Sequence, residues 1–308
     1  MDSPLVRVIL ATLGGYLAIV LFLSAYEWLA AEYPKRPPPP TNTERIQHPY
    51  HHADAVRALQ CFSRLTETEK AAIRQSLQQD LVDVQQWLAL VRLSNYPILC
   101  IGELHEESTR DFLAEGFFAK IGIDVLALEA TPQELKGLIK RLKAGRDYYP
   151  LLGADILRLL RAARDRNPDV RIYGIEETDR QKQRRPSRSN TRDQSIAENF
   201  WTRFVPGQRH VILFGSLHCA NESNWLFQNL RARATVSVKD QMCNVQVLGE
   251  HQTGSLEAFV YFMDEIGMPK RDFVIPDTRS LHPLIYQWFQ PLTRQTLRKF
   301  RSLVVFRT

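Results

Sequence analysis

Residues 98–109, ILCIGELHEEST, place several ionisable side chains directly after an apolar segment. Glu103, His105, Glu106 and Glu107 occur within five positions. A carboxylate with a raised pKa and a neutral histidine can share general acid–base work on a water molecule. Imidazole and carboxylate groups also bind borderline divalent metals such as zinc or manganese. The segment is typical of either a reactive site or a solvated loop, and the surrounding elements have to discriminate between them.

Apolar segments alternate with segments of helical periodicity along the chain. The predicted strands are residues 97–102, 123–130, 169–177, 209–218, 234–238 and 244–249, and a last strand near the carboxyl terminus. The predicted helices are residues 65–93, 108–122, 131–145, 153–166, 191–204 and 222–233. The strands are continuously apolar, which is expected when helices cover both faces of a parallel sheet. We therefore predict an α/β fold with a mainly parallel sheet flanked by helices on both faces.

The ends of the first four predicted strands carry ionisable groups. Parallel strands end at one edge of a sheet, and ligands bind in the crevice outside that edge. The residues that this geometry brings together are Glu103, His105, Glu129, Glu176, Glu177 and His218. We predict a reactive or binding site there, because a single solvated loop does not explain four strands ending in this way.

Some of these residues also have simple structural explanations. Glu129 could complement the dipole of the helix that begins near Thr131. Glu106 and Glu107 could do the same for the helix near Ser108, and for these two residues this is the favoured interpretation. His218 could be a half-buried histidine whose polar atoms are satisfied.

The amino-terminal segment predicts a membrane anchor. Residues 8–26 contain no charged side chain and are long enough for a helix to cross the ~30 Å hydrocarbon core. A signal peptide would have a shorter apolar region and a small-x-small cleavage site. We therefore predict an uncleaved single-pass helix over residues 6–28 in contact with the lipid bilayer. Positive residues occur at both ends of this helix, so the side of the membrane stays undetermined.

The domain organisation follows from this segment and from the prolines after it. Residues 1–32 form the predicted transmembrane anchor, and residues 33–53 a proline-rich linker of extended character. Residues 54–308 form the predicted α/β catalytic or ligand-binding domain. The net charge of +6 allows contact with an anionic surface, but it does not indicate a nucleic acid partner.

The sequence contains no convincing nucleophile. Ser216 would project to the same side as His218 if the segment were extended, and Cys219 adjoins that histidine. Both are minor candidates. The four cysteines include no C-x-x-C pair, and at this density a disulfide framework is not expected. Cys100 and Cys243 are predicted to be small buried apolar side chains.

The ordered segments ILCIGELHE, VLALEA, VRIYGIEE, TRDQSIAENF and VILFGSLH resemble one superfamily. It joins erythromycin esterase-like enzymes, ChaN-like haem-uptake proteins and Tiki-type proteases, and the resemblance covers roughly residues 95 to 220. It implies that Glu103 and His105 form the first catalytic or ligand motif and that Glu129 is the acid after the second strand. It further implies an acid at Glu176 or Glu177, a site arginine at Arg192 and a final histidine at His218.

The branches of this superfamily imply different activities. The esterase-like members are thought to activate water with histidine and glutamates, Tiki-like members are metal-dependent peptidases, and ChaN-like members bind haem. The chain has no clear equivalent of the helical insertion of the esterase-like branch and no lipobox cysteine. The resemblance therefore does not predict the substrate.

Two hypotheses from different classes result. The leading one is a membrane-anchored hydrolase of ester or amide bonds in a small-molecule or peptide substrate. Its predicted catalytic residues are Glu103, His105, Glu129 and His218, its substrate-binding residues are Arg192, Glu176 and Glu177, and its metal ligands, if it uses zinc or manganese, are His105, His218 and Glu103. The alternative is a haem-binding or other ligand-binding protein without catalysis. Its axial ligands would come from His105, His218, Tyr148, Tyr149 and Tyr173. A third hypothesis is a member of the superfamily that has kept the fold but has lost the activity.

Overall fold

The computed structural model describes residues 59–93, 96–145, 153–184, 191–288 and 299–307. The predicted anchor and linker lie outside these residues, as do Tyr148 and Tyr149. Within the described part of the chain, no helix combines the length and the apolar character needed to cross a membrane. The membrane anchor therefore stays a prediction.

Seven strands of the described chain form one sheet. They are β1 (Ile98–Glu103), β2 (Val125–Leu128), β3 (Arg171–Gly174), β4 (His210–Gly215), β5 (Met242–Gly249), β6 (Phe273–Ile275) and β7 (Ser302–Phe306). Their order is β3-β2-β4-β1-β5-β7-β6. Only the β6–β7 pair is antiparallel among these strands. The predicted mainly parallel α/β sheet is confirmed.

The helices lie in the connections between the strands. Before β1 come α1 (Glu67–Asp80) and α2 (Val84–Leu93), and between β1 and β2 lies α3 (Glu107–Phe112), which continues as a π-helix (Leu113–Phe118). Between β2 and β4 lie α4 (Pro132–Lys143), α5 (Gly153–Arg166), α6 (Asp179–Arg184) and α7 (Arg192–Trp201). After β4 come α8 (Ser216–Cys219), α9 (Leu226–Arg233), α10 (Val236–Asp240), α11 (Gly254–Glu265), a 3₁₀ turn (Thr278–Ser280) and α12 (Pro283–Trp288).

Both faces of the sheet are covered by helices. Leu99 and Ile101 of β1 belong to a core with α2, the α3 and π-helix segment, α4 and α5. Ile98 and Cys100, which point to the opposite face, belong to a second core with α7 and α9. A third cluster joins α1 and α11 to the β6–β7 edge. This burial on two sides explains why the strand segments are apolar at every position.

The first predicted helix is two helices. Thr66 caps α1 through a reciprocal capping box with Glu69, so the predicted start is close. The helix ends at Asp80, because Val82 adopts extended backbone and pairs with Val274 of β6 in an antiparallel bridge. A partner almost two hundred residues away decides this break, and helical periodicity does not reveal it.

Two predicted strands are wrong in whole or in part. Residues 234–238 were predicted as a strand from their β-branched residues, but α10 occupies most of that stretch. Val236 is 77% exposed, so the apolar side chains there do not report a buried strand. The fourth predicted strand ends at Gly215, because the helical turn α8 follows at once. Ser216 and His218 therefore do not project together from an extended segment.

Cys100 is buried, as predicted, but it takes part in a disulfide that was not expected. Cys100 on β1 and Cys219 on α8 form a disulfide with Cα atoms 5.6 Å apart. The two residues are separated by 119 positions, and β1 and α8 become neighbours only because β4 inserts beside β1. Cys61 and Cys243 are free thiols.

Candidate functional site

The candidate site lies where β1, β2, β3 and β4 end. These four strands are neighbours in the sheet and run parallel, so their carboxyl ends meet at one edge. Four of the predicted residues form one continuous chain of contacts at this edge, in the order Glu103, His105, Glu129 and His218.

His105 lies between two carboxylates. Its Nδ1 is 3.0 Å from Oε1 of Glu103, and its Nε2 is 3.3 Å from Oε2 of Glu129. These hydrogen bonds, first to Glu103 and then to Glu129, outweigh burial and raise the pKa of His105 to about 9. The raised pKa favours the imidazolium at neutral pH, with Nε2 donating to Glu129. Nη2 of Arg110 also lies 3.0 Å from Nδ1, so this guanidinium competes with Nδ1 for the Glu103 carboxylate. The backbone of His105 has φ = 57°, a left-handed conformation that turns the chain after β1 so that the ring reaches Glu129.

Arg110 on α3 holds the first carboxylate of this chain. Its Nε lies 3.0 and 3.2 Å from the two carboxylate oxygens of Glu103. The Glu103 and Arg110 residues are only 2% and 6% exposed. A buried charge requires such a partner, because desolvation otherwise makes ionisation costly. Sequence analysis missed Arg110, although it follows Glu103 by seven residues.

Glu129 is the centre of the site. Its Oε1 accepts a hydrogen bond of 2.8 Å from Nη2 of Arg192, and its Oε2 accepts one of 2.8 Å from the backbone N–H of Gly215. Burial opposes ionisation, but hydrogen bonds from His105, Gly215 and Arg192 prevail and lower the pKa of Glu129 to about 2. Glu129 is not the N-cap of α4. Thr131 is the N-cap of α4, in a capping box with Glu134.

Arg192 links three of the strand ends. Its Nε and Nη2 bind the two oxygens of Glu176 at 2.9 and 2.7 Å, a two-pronged pair, while Nη1 lies 3.0 Å from Nε2 of His218. The pairing with Glu176, and then with Glu129, raises the pKa of the guanidinium. Glu177, the other predicted acid, is buried next to Glu176 and donates its backbone N–H to the Glu176 carboxylate.

His218 is held from the side opposite Glu129. Its Nδ1 lies 2.9 Å from both carboxylate oxygens of Asp193. Arg192 can only donate, so Nε2 of His218 accepts from it and Nδ1 carries the proton that goes to Asp193. The Nε2 atom is also 3.9 Å from Oε1 of Glu129. Trp225 packs edge-on against the ring at 5.6 Å.

Gly215 permits the two histidines to approach each other. A Cβ at this position would lie 2.9 Å from Nε2 of His105, 3.5 Å from Oε2 of Glu129 and 3.6 Å from Cδ2 of His218. Any side chain would therefore separate the three groups. The φ of −51° at Gly215 is accessible to any residue, so the backbone does not require a glycine here. The glycine is required because there is no space for a side chain.

The comparisons with known proteins carry no functional assignment. No protein-family model matches the sequence, and no curated protein matches it. A Bacillus cereus protein of known crystal structure is similar in fold, with 11% identity, a TM-score of 0.49 and coverage of 77% of this chain and 97% of that one. A structure described as bacterial protein toxins gives 15% identity and a TM-score of 0.34. The C-terminal region of Pasteurella multocida toxin, described with a thiol-protease-like catalytic triad, gives 13% identity and a TM-score of 0.33.

Coverage of the two toxin structures is partial. The chain spans 43% of the first and 29% of the second, while 66% and 63% of its own length is matched. The activities of those toxins are therefore not assigned to this chain.

The geometry restricts the roles of the minor candidates. Cys219 is in the disulfide, so its sulfur is not a free thiol nucleophile. The Ser216 hydroxyl accepts a hydrogen bond of 2.9 Å from Nε2 of Gln246 on β5. Asp193, which orients His218, was missed as a site residue. Its signal was present, since it directly follows Arg192 in the quoted segment TRDQSIAENF.

The predicted metal ligands face protein cations in this arrangement. Arg110 binds Glu103, and Arg192 binds Glu129 and faces His218. Among the described residues, no three His, Cys, Asp or Glu side chains form a group that could hold a metal ion. Zinc or manganese would have to take the place of a guanidinium group at these atoms.

Proposed function

We propose that this protein is a membrane-anchored hydrolase that activates water to cleave an ester or amide bond. The observation that carries the proposal is the contrast between the two histidines beside Glu129. His105 has a carboxylate near each nitrogen and a raised pKa, whereas Nε2 of His218 faces the Arg192 guanidinium, which can only donate. Neighbouring titratable groups in opposite protonation states are the arrangement that acid–base catalysis requires.

His218 is the proposed general base. A water molecule that enters between His218 and Arg192 would give its proton to Nε2 and attack the carbonyl carbon. Asp193 keeps the ring in the required tautomer and stabilises the imidazolium that forms, as a carboxylate does in other histidine-based hydrolases. Nη1 of Arg192, released from Nε2, would then face the negative charge that develops on the carbonyl oxygen.

His105 is the proposed general acid. Its side chain is 45% exposed, so substrate can reach it, and it carries a proton at neutral pH. Donation to the leaving alkoxide or amine completes the cleavage, and Glu103 and Glu129 hold the ring in place. The resemblance to the esterase-like and Tiki-type branches supports this reaction class. It suggests a small-molecule or peptide substrate, and Glu176 would support its binding by holding Arg192 in place. Glu177 is buried, so its predicted role in substrate binding would be indirect.

The test is a substrate screen on the full chain purified in mild detergent. p-Nitrophenyl esters of increasing acyl length report esterase activity, and peptidyl p-nitroanilides report amidase activity. We expect turnover of at least one class and a loss of at least ~10²-fold in His218→Ala. His282→Ala is the matched control, because this histidine lies in the β6–β7 connection. Absence of turnover in every class, or an active His218→Ala variant, would overturn the proposal.

The same preparation tests the metal-assisted form and the haem alternative. Loss of activity in EDTA, restored by zinc or manganese, would support the metal-assisted form, for which His105, His218 and Glu103 are the proposed ligands. A Soret band that appears with added haem and disappears in the His105→Ala or His218→Ala variants would instead favour the ligand-binding hypothesis.

A further inference from the structure

A cavity of about 190 Å³ is lined by several cationic side chains. Its lining includes none of Glu103, His105, Glu129 and His218, which we call the Glu/His site. We call this cavity the basic cavity. The charged residues that line it are Arg231, Lys239, Asp240, Arg279, Lys299 and Arg301. Five cations thus face one carboxylate across a small space, and like charges at this density repel unless anions compensate them.

The basic cavity lies near the opposite end of the sheet from the proposed catalytic residues. Met242 and Asn244, the first and third residues of β5, form part of its wall. Met242 is in register with Ile98, the first residue of β1, whereas Glu103 ends that strand. At ~3.3 Å per residue, the two ends of β1 are about 16 Å apart. None of the proposed catalytic residues lines this cavity, although Asn221, three residues after His218, does.

Two of the five cations have carboxylate partners in the fold. Arg279 is paired with Asp277, and Lys299 with Glu222. For Arg231, Lys239 and Arg301, the described part of the chain contains no carboxylate within the 4.0 Å of an ion pair. These three cations have no direct ion pair, although Asp240 lines the same cavity and Asp277 attracts Arg301 at longer range.

Each of the two arginines in this group packs its guanidinium against an aromatic ring. The guanidinium of Arg231 lies over the Phe227 ring at 6.0 Å, and that of Arg301 lies over the Tyr96 ring at 5.4 Å. Nε of Arg231 is buried and has no hydrogen-bond acceptor among the described residues. A buried donor of this kind costs free energy unless a ligand satisfies it.

We propose that the basic cavity is a binding site for a phosphate group. Arginine presents a planar fork that matches phosphate oxygens, and lysine adds a point charge. Five cations against the carboxylates of Asp240, Asp277 and Glu222 leave an excess of two positive charges. This excess suits the two negative charges of a phosphate monoester better than the single charge of a carboxylate. The phosphate could come from a soluble phosphate ester or from a lipid headgroup, since the chemistry recognised is the same.

The test is calorimetric titration of the full chain in neutral detergent with three probes. They are inorganic phosphate, glycerol 3-phosphate and a short-chain phosphatidic acid. We expect binding that weakens as salt rises, and a roughly tenfold loss of affinity in Lys239→Gln and in Arg231→Gln, the effect of losing one hydrogen bond to a charged group. Phosphatidic acid binding tenfold tighter than glycerol 3-phosphate would identify a lipid source, and equal affinity a soluble one.

The controls keep the outcome unambiguous. Lys140→Gln and Lys143→Gln remove exposed cations from α4, outside the cavity, and should leave the affinity unchanged. Lys239 is exposed, so its variant should fold even if the Arg231 variant is destabilised. No binding of any probe at millimolar concentration, or an equal loss in the α4 variants, would overturn the proposal. The measurement involves no bond cleavage, so its failure is separate from failure of the proposed hydrolase.

Discussion

Both carboxylate oxygens of Asp193 lie 2.9 Å from Nδ1 of His218. The two residues come from different elements, since Asp193 is in the first turn of α7 and His218 is in α8. Asp193 is 2% exposed, so its charge is shielded from water and acts mainly on the imidazole. This relationship orients the Nε2 lone pair of His218 toward Glu129 and Arg192.

Asp193→Asn should reduce kcat by about 10²-fold or more while the fold is retained. The amide can hold the ring, but it can donate to Nδ1, which favours the wrong tautomer and removes the stabilisation of the imidazolium. The measurement is steady-state kinetics on the ester or amide found in the screen. Glu198→Gln on the same helix is the control, because Glu198 pairs with Arg233 outside the site. Equal kinetics for the two variants would remove Asp193 from the mechanism.

The state of His105 should make stability depend on pH. Its pKa is about 9 in the folded protein and ~6.5 in the unfolded chain. The stabilisation that comes from the imidazolium is therefore complete below about pH 6.5 and is lost as the pH rises toward 9. We expect the Tm to fall over this interval by a modest amount, because the side chain is 45% exposed and solvent screens its ion pairs.

His105→Asn is the matched variant for this measurement. Asparagine tolerates the left-handed backbone at φ = 57° better than most residues, so the turn should persist. Its Tm should fall less than that of the wild type between pH 6.5 and 9, and its kcat should fall by about 10²-fold because the proposed acid is gone. A wild-type Tm that is flat over this range would contradict the assignment of the raised pKa.

Gly215→Ala should impair both stability and turnover. The added Cβ would lie 2.9 Å from Nε2 of His105, so the ring must move away from Glu129. We expect destabilisation of about 1–3 kcal/mol and a loss of about 10²-fold in kcat. Gly122→Ala is the control, because a Cβ there would meet no atom within 4 Å. Thermal unfolding and kinetics of both variants test this, and a fully active Gly215→Ala would refute the close approach.

The Cys100–Cys219 disulfide should contribute about 4 kcal/mol to the free energy of unfolding, because it closes a loop of more than one hundred residues. Urea unfolding with and without reductant measures this. The Cys61→Ser variant should leave the difference unchanged, since Cys61 is a free thiol. Thiol counting in denaturant should find two free thiols before reduction and four after it. Four free thiols in the unreduced protein would show that the bond does not form.

Arg192→Ala should lower turnover far more than Arg180→Ala. Arg192 binds Glu176 and Glu129 and faces His218, whereas Arg180 is an exposed residue of α6. We expect a loss of about 10²-fold that persists at high ionic strength, since the Arg192 contacts are partly buried and poorly screened. A small and salt-sensitive loss in both variants would mean that Arg192 acts only as a surface charge.

The local sequence was sufficient to predict the mainly parallel sheet and the edge at which the candidate residues lie. Continuous apolar runs separated by helices indicate parallel strands, because a strand that is buried on both faces needs an apolar residue at every position. Parallel strands necessarily end together, so Glu103, Glu129 and Glu176 could be assigned to one edge before any coordinates were known. Thr66 and Thr131 could likewise be recognised as helix starts, since capping depends on residues three positions away.

Other features were decided only by the tertiary structure, because they depend on residues that are distant in the chain. Val82 ends α1 by pairing with Val274, and Cys100 bonds to Cys219 across the β1–β4 neighbourhood. The tautomer of His218 and the charge of His105 follow from which carboxylates and guanidinium groups reach their nitrogens. Local sequence fixes the strand from which each group comes. The insertion of β4 between β2 and β1 decides which of these groups come into contact.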